Sequence, residues 1–152
     1  MPENRDQSVK PFWEAKGLQE MNAQEWESLC DGCAQCCLLK LEDEDTQEVV
    51  VTSVACRQLD ITHCRCRDYA QRAKHVEMCL LISLDKPEIF NWLPKTCAYR
   101  CLYEGRPLPD WHPLVSQDPG SVHAAGISVK AYAISEEYIH PQQVDLHVIG
   151  KL

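Results

Sequence analysis

The sequence predicts a small, metal-stapled α+β domain with short helices, a β-hairpin and long loops. Three observations predict it. Ten of the 152 residues are cysteines, and four of them stand in one run, Cys30-Asp31-Gly32-Cys33-Ala34-Gln35-Cys36-Cys37. Two apolar stretches flank the acidic segment Glu42-Asp43-Glu44-Asp45, which is the pattern of a hairpin. The helical patterns are short and stop early, two of them at Pro94 and Gly105.

The elements follow in chain order. Residues 1–16 read as a loosely ordered arm with Phe12 and Trp13 as docking points. A first helix is expected from about Ala23 to Leu29. Asn22 caps it, Glu25 completes a capping box, and Met21 and Trp26 hold the staple positions. That helix delivers the chain to Cys30. Leu38–Leu41 and Glu48–Val54 read as strands, the second carrying the β-branched run Val49-Val50-Val51-Thr52. The acidic run between them reads as the turn, because a hard-cation site needs a ligand spacing that the run does not announce. Arg67–Lys74 reads as a helix. Pro87–Leu93 reads as another, with Asp85 as cap, Glu88 at the box position, and Leu84 and Ile89 as the staple. A third spans Cys97–Glu104, capped by Thr96 and closed by Gly105. Asp118-Pro119-Gly120 marks a turn. Ile127–Tyr132 alternates and reads as a strand, and Val144–Ile149 more weakly so. The expected organisation is an arm at 1–16, a cysteine-cluster metal-binding domain at 17–130 and a peripheral C-terminal segment at 131–152.

Composition narrows the function. The N-terminus is polar, without the apolar core of a signal peptide, and no apolar run is long enough to cross a bilayer. A cytoplasmic location with no membrane partner is therefore expected, and thiols there stay reduced. In that compartment ten cysteines read as metal ligands or redox groups. Were the chain exported, disulfides would be the alternative. The net charge is −8, and a zinc ion held by four thiolates would itself carry about −2. Nucleic acid is thus not an expected partner, while a protein partner is left open. The basic stretch Arg65-Cys66-Arg67, followed by Arg72 and Lys74, reads as a solvated helix face. No phosphate loop, dinucleotide glycine pattern or serine elbow occurs, and no catalytic residue is assigned. The balance leans away from an enzyme.

The cysteine run carries the chemistry. Two cysteines separated by two residues can place both sulfurs on one ion while the intervening turn aims backbone N–H groups at them. Gly32 helps, because it tolerates a left-handed turn. C-x₂-C-x₂-C also resembles the spacing that offers three thiolates to an iron–sulfur cubane. Cys36 and Cys37 are adjacent, and neighbouring side chains of an extended chain point to opposite faces, so one of them can serve a different ion or the core. The remaining cysteines are Cys56, Cys64, Cys66, Cys79, Cys97 and Cys101. Cys97 sits at a predicted helix start, where the dipole favours a thiolate, and Cys101 lies one turn further on. The count suffices for two four-thiolate sites, but it does not say which cysteines share one. Zinc and iron–sulfur clusters both take such ligands.

Several segments together carry a resemblance. They are Cys30–Cys37, Ala55-Cys56-Arg57, Cys64-Arg65-Cys66-Arg67-Asp68-Tyr69, Cys79, Trp92-Leu93-Pro94, Thr96-Cys97-Ala98-Tyr99-Arg100 and Trp111-His112-Pro113-Leu114. They resemble the YcgN-type bacterial proteins of the CxxCxxCC cysteine-cluster family, from about Phe12 to Val129. The resemblance implies a zinc- or iron-chelating domain. Larger relatives attach a similar cluster to a protein-methylating enzyme, which implies a module assisting chemistry carried elsewhere. Cys101 departs from the pattern and is left out of the ligand set. The candidate metal ligands are Cys30, Cys33, Cys36, Cys37, Cys64, Cys66, Cys79 and Cys97, with zinc or an iron–sulfur cluster as the cofactor. Cys56 is balanced between ligand and buried apolar residue. His63, beside Cys64, is either a further ligand or an exposed polar residue. His112 is expected to hydrogen-bond the fold or face a pocket, and a nucleophilic pair of Cys97 with His112 lacks a third, orienting group. The expected function is intracellular metal binding, with zinc or an iron–sulfur cluster held through cysteine thiolates. The alternatives are an iron–sulfur redox, electron-transfer or enzyme-accessory protein, and a metal carrier or sensor.

Overall fold

The structure is a computed structural model describing residues 10–76 and 79–152. It is an α+β arrangement in which no element exceeds seven residues. Helix α1 (Phe12–Ala15) precedes a 3-10 turn, then α2 (Ala23–Ser28). Asn22 caps α2 with the expected box: its Oδ1 accepts the Glu25 N–H at 2.8 Å, and Glu25 Oε1 accepts the Asn22 N–H at 3.1 Å. The chain then enters the cysteine run and emerges as β1 (Leu38–Glu42), which pairs antiparallel with β2 (Val49–Ala55). The turn between them is acidic, as the pattern predicts. Asp43 closes it, with Oδ1 accepting the N–H groups of Asp45 and Thr46.

A second small ladder joins β3 (Leu59–Asp60) to β4 (Arg65–Cys66). Arg65 therefore stands on a strand and not on the helix face read from its sequence. The helix expected at Arg67 begins later, as a 3-10 turn over Tyr69–Gln71 and then α3 (Arg72–His75), because the Arg67 N–H extends the ladder to the Gln58 carbonyl at 2.7 Å. Pro87–Trp92 forms a 3-10 helix that Asp85 does not cap: the Asp85 N–H instead meets Ser83 Oγ. Helix α4 (Ala98–Tyr103) starts one residue later than expected, with Cys97 rather than Thr96 at the N-cap. Its C-terminus is a Schellman motif. Gly105 has φ +75°, its N–H meets the Leu102 carbonyl, and the Arg106 N–H reaches the Cys101 carbonyl at 2.7 Å.

Two one-turn helices follow, α5 (Pro113–Ser116) and α6 (Ser121–Ala124). The strand expected over Ile127–Tyr132 does not form. The Val129 N–H is spent on the Cys33 carbonyl at 3.0 Å, and residues Val129–Ala131 close a 3-10 turn on themselves. The true strand there is the short β5 (Ile134–Ser135), parallel to the end of β2. The expected strand near Val144–Ile149 is likewise displaced. Pro141–His147 is 3-10 helical, and β6 (Val148–Lys151) pairs antiparallel with β2.

Two apolar clusters result. The helical one contains Leu18, Leu29, Phe90, Leu93, Ala98, Tyr99 and Leu108, with Phe12, Trp13 and Trp26 packed against it. The sheet one contains Ala34, Leu38, Ala55, Leu59, Cys64 and Val129. The cysteine run connects them, leaving from Leu29 in one and arriving at Ala34 and Leu38 in the other. Among the described residues no helix is long and apolar enough to cross a membrane.

Candidate metal centre

The run Cys30–Cys37 folds as a curled loop because two of its residues adopt left-handed backbone. Gly32 has φ +77°, where glycine carries no Cβ penalty. Ala34 has φ +61°, an uncommon state for a residue with a Cβ, which the surrounding contacts must enforce. This curl turns N–H groups toward sulfur. The Gln35 N–H donates to Cys33 Sγ at 3.5 Å, and the Gly32 N–H favours the Cys30 thiolate. The Gln58 N–H does the same at Cys56, and those of Arg100 and Tyr99 at Cys97. Long-range bonds pin the loop from outside. Gln35 Nε2 donates to the Ile127 carbonyl at 2.7 Å, and His112 Nε2 donates to the Leu29 carbonyl at 2.8 Å.

His112 is fully buried, and its other nitrogen, Nδ1, accepts the Leu114 N–H at 3.0 Å. Both ring nitrogens are thus committed to backbone, one of them to the residue immediately before Cys30. The structure gives His112 the fold-bonding role of the two expected from sequence.

The sulfurs fall into two neighbourhoods. In the first, the charge of buried Asp31 bears on the thiols of Cys30, Cys33, Cys36 and Cys97, and also on that of Cys101. Cys33 and Cys101 are buried, Cys97 is half-buried, and the residues Cys30 and Cys36 are exposed. Asp31 Oδ1 accepts the Cys33 N–H at 2.9 Å, while Oδ2 is buried with no partner. Loss of water around the sulfur pushes the Cys30 thiol up to about 11 and the Cys97 thiol to about 12, and it raises Cys33 as well. In the second, the Cys56 N–H donates to the Cys37 carbonyl at 2.8 Å, and the Leu59 N–H returns to the Cys56 carbonyl at 2.9 Å. Leu59 in turn pairs with Cys66 across the β3–β4 ladder. Arg57 Nη2 ties the Cys56 turn to the His75 carbonyl at 2.7 Å, on the segment leading to Cys79. The charges of Cys56 and Cys79 bear on Cys37, that of Cys66 on Cys56, and those of Cys36, Cys56 and Cys66 on Cys79. Cys36 and Cys37 join the two neighbourhoods. A hydrogen bond from Cys37 and the nearby Lys40 ammonium hold the Cys36 thiol below its ordinary value.

The remaining candidates lie elsewhere. Cys64 is buried in the sheet cluster, its Sγ donating to the Ile61 carbonyl at 3.5 Å. Cys101 is buried with Sγ donating to the Lys95 carbonyl at 3.3 Å. His63 is exposed and bonded to Asp60 Oδ2 at 2.8 Å through Nδ1. Of the residues brought together, sequence reasoning left Cys56 undecided and passed over Asp31, although Asp31 is the one acid inside the cysteine run.

Among the described residues no three His, Cys, Asp or Glu side chains are already arranged around a common ion. What the first neighbourhood shows is the chemistry of its donors. It holds a buried carboxylate with an unmet oxygen, four thiols, one of which accepts the Gln35 N–H, and backbone N–H groups that favour the thiolates of Cys30 and Cys97. A buried carboxylate oxygen without a partner is costly unless a cation meets it, and with thiols around it, two of them on the exposed residues Cys30 and Cys36, this donor set fits a thiophilic metal.

The comparisons with known proteins agree in kind. Residues 29–98 match the CxxCxxCC family, whose description reads "Putative zinc- or iron-chelating domain". The match runs from before Cys30 to just past Cys97 and leaves only Cys101 outside. A UPF0260 protein of Marinobacter nauticus is 52% identical over 91% of this chain and 94% of its own length. One of Rhizorhabdus wittichii is 57% identical over 84% and 88%. The UPF0260 protein YcgN of Salmonella paratyphi A is 49% identical over 95% and 96%. No solved structure matches. The chain belongs to the UPF0260 family and carries its cysteine-cluster chelating domain.

Proposed function

We propose that the protein is a cytoplasmic metal-binding protein, holding zinc or an iron–sulfur cluster on thiolates drawn from the cysteine run and three distant segments. The observation that carries this reading is Asp31, buried with one oxygen unmet while its charge bears on Cys30, Cys33, Cys36 and Cys97. A cation there is what relieves the burial of that charge. In this reading Cys30, Cys33, Cys36 and Cys97 form one ligand group. Cys37, Cys56, Cys66 and Cys79 form a second, with Cys56 included and Cys64, a candidate from sequence, left out. Bound zinc would fasten the fold, whereas a bound iron–sulfur cluster would also carry electrons.

The chain's own part is to pre-shape the ligands. The left-handed residues Gly32 and Ala34 curl the run. The N–H groups of Gly32, Gln35 and Tyr99 favour thiolate at Cys30, Cys33 and Cys97. The experiment is elemental and spectroscopic analysis of protein purified without oxygen. Brown protein with visible absorbance supports iron–sulfur and the redox or accessory role. Colourless protein with slowly exchanging zinc supports a structural site presenting a surface to a partner, and fast exchange supports a carrier or sensor. Cys33→Ser is expected to lower metal content and melting temperature together. Unchanged stoichiometry in that variant removes Cys33 from the ligands.

A further inference from the structure

A groove of about 550 Å³ opens beside β3 and β4, its wall formed by Thr62, Arg65, Cys66, Arg67, His123 and Lys130. The chain as a whole is at −8, yet three permanent cations converge on this one groove. Among the described residues no ion pair engages Arg65, Arg67 or Lys130. One carboxylate lies on the wall, Asp60, which stands opposite Arg65 across the β3–β4 ladder and accepts from the ring nitrogen and backbone N–H of His63; a neutral His63 leaves its charge to offset one of the three cations. The cations that bear on Cys56 and Cys79 are Arg57 and Arg72, whereas Cys66 lies between Arg65 and Arg67 on the wall and, as a thiolate of the second ligand group, would offset part of their charge. Lys130 also bears on Cys64. His123 is fixed in place by a 2.7 Å bond between Nδ1 and Ser128 Oγ, which leaves Nε2 free among the described residues.

Three exposed cations against one carboxylate leave the groove with an excess of positive charge that attracts an anion. We propose that this groove binds the doubly charged phosphate group of a small phosphorylated compound, clamped by Arg65, Arg67 and Lys130. Two planar guanidinium groups match phosphate oxygens in paired hydrogen bonds, and the ammonium adds a point charge. A lone carboxylate would offset only one of the three charges. The volume lies within the range of small-ligand pockets, about 300–1,000 Å³. A long polyanion is disfavoured, because the acidic remainder of the surface repels it. This inference does not rest on the metal reading, although Cys66 lines the groove and places bound phosphate beside the second ligand group.

The test uses the full chain purified without oxygen, in slightly alkaline buffer of low ionic strength, with backbone amide shifts followed by NMR. Inorganic phosphate is titrated in parallel with succinate, which carries the same charge. Saturable shifts confined to residues 59–67 and 123–130, weakened by added salt, are expected for phosphate. Succinate should bind several-fold more weakly. R65Q combined with K130Q should weaken phosphate by about tenfold or more, and R67Q alone by several-fold, with metal content and melting temperature unchanged in both. Glycerol phosphate should bind at least as well as phosphate. Absence of saturation, unaltered affinity in the variants, or equal binding of succinate overturns the proposal, and a phosphoserine peptide binding more tightly than glycerol phosphate overturns the small ligand. Metal content is read in every sample, so loss of the ion and loss of the anion are told apart.

Discussion

The helical cluster buries Phe90, Leu29, Leu93 and Tyr99, and its polar side chains reach across to hold backbone: Tyr99 Oη donates to the Trp26 carbonyl at 2.7 Å and His112 Nε2 to that of Leu29. The sheet cluster is built from smaller pieces, Ala34, Leu38, Ala55, Leu59, Cys64 and Val129, and its loops carry Cys37, Cys56, Cys66 and Cys79. Hydrophobic stabilisation scales with apolar area removed from water, so the sheet side has less of it to offset the entropy of ordering its loops. The contrast teaches where metal matters most. On the proposed reading, the helical side, against which Cys97 packs, has more packing to hold it, and the sheet side leans more on its thiolates being fastened.

The largest effect expected is that of chelation. Structural zinc contributes on the order of 10 kcal/mol or more, comparable to the whole net stability of a domain, about 5–15 kcal/mol. Hydrogen exchange after chelation should show protection lost first over residues 56–67, while the neighbourhood of Trp26 and Tyr99 persists longer. Uniform loss would dissolve the contrast between the two sides. The pH dependence should change sign with the metal. With metal bound, acid competes for the thiolates and stability falls as pH falls. In chelated protein, Cys30 and Cys97 have folded values of about 11 and 12 against an ordinary value of 9.0. Their contribution is therefore fully present below pH 9.0 and is lost as pH rises toward 11 and 12. Melting temperatures across alkaline buffers check the sign.

His112→Ala comes next. It leaves the buried Leu29 carbonyl without a donor, a cost of about 1–3 kcal/mol. Because Leu29 immediately precedes Cys30, it should also weaken metal retention in a competition assay. A variant that loses stability but keeps metal affinity would separate the helical core from the cysteine run. The smallest effect is that of Tyr99→Phe. Losing the bond to the Trp26 carbonyl costs about 1 kcal/mol, with metal content unchanged, as urea unfolding and elemental analysis would read together.

What was legible in the sequence was local. The capping box of Asn22 and Glu25, the hairpin around Asp43 and the Gly105 closure each depend on residues within a few positions of one another, and each stands where it was read. What was not legible depends on distant partners. Ile127–Tyr132 has the alternation of a strand, but the carbonyl that takes the Val129 N–H belongs to Cys33, far back in the chain. Thr96 is a better cap than Cys97 by residue type, yet the N–H groups of α4 favour the Cys97 sulfur, and Thr96 Oγ1 is buried without a partner. His112 could be flagged from Trp111-His112-Pro113, but its acceptor at Leu29 could not. The candidate site divides in the same way. The run itself is plain from spacing. That Cys56 lies against Cys37, and Cys64 in an apolar cluster, follows only from the β1–β2 pairing and the β3–β4 ladder.

The central claim is that sulfur from the cysteine run holds a metal ion. X-ray absorption at the metal edge of the protein purified without oxygen tests it most directly. The account predicts nearest ligands that are sulfur, at about 2.3 Å if the ion is zinc, with the sulfur signal reduced in Cys33→Ser. Protein without bound metal, or a metal surrounded by oxygen and nitrogen alone, would contradict it.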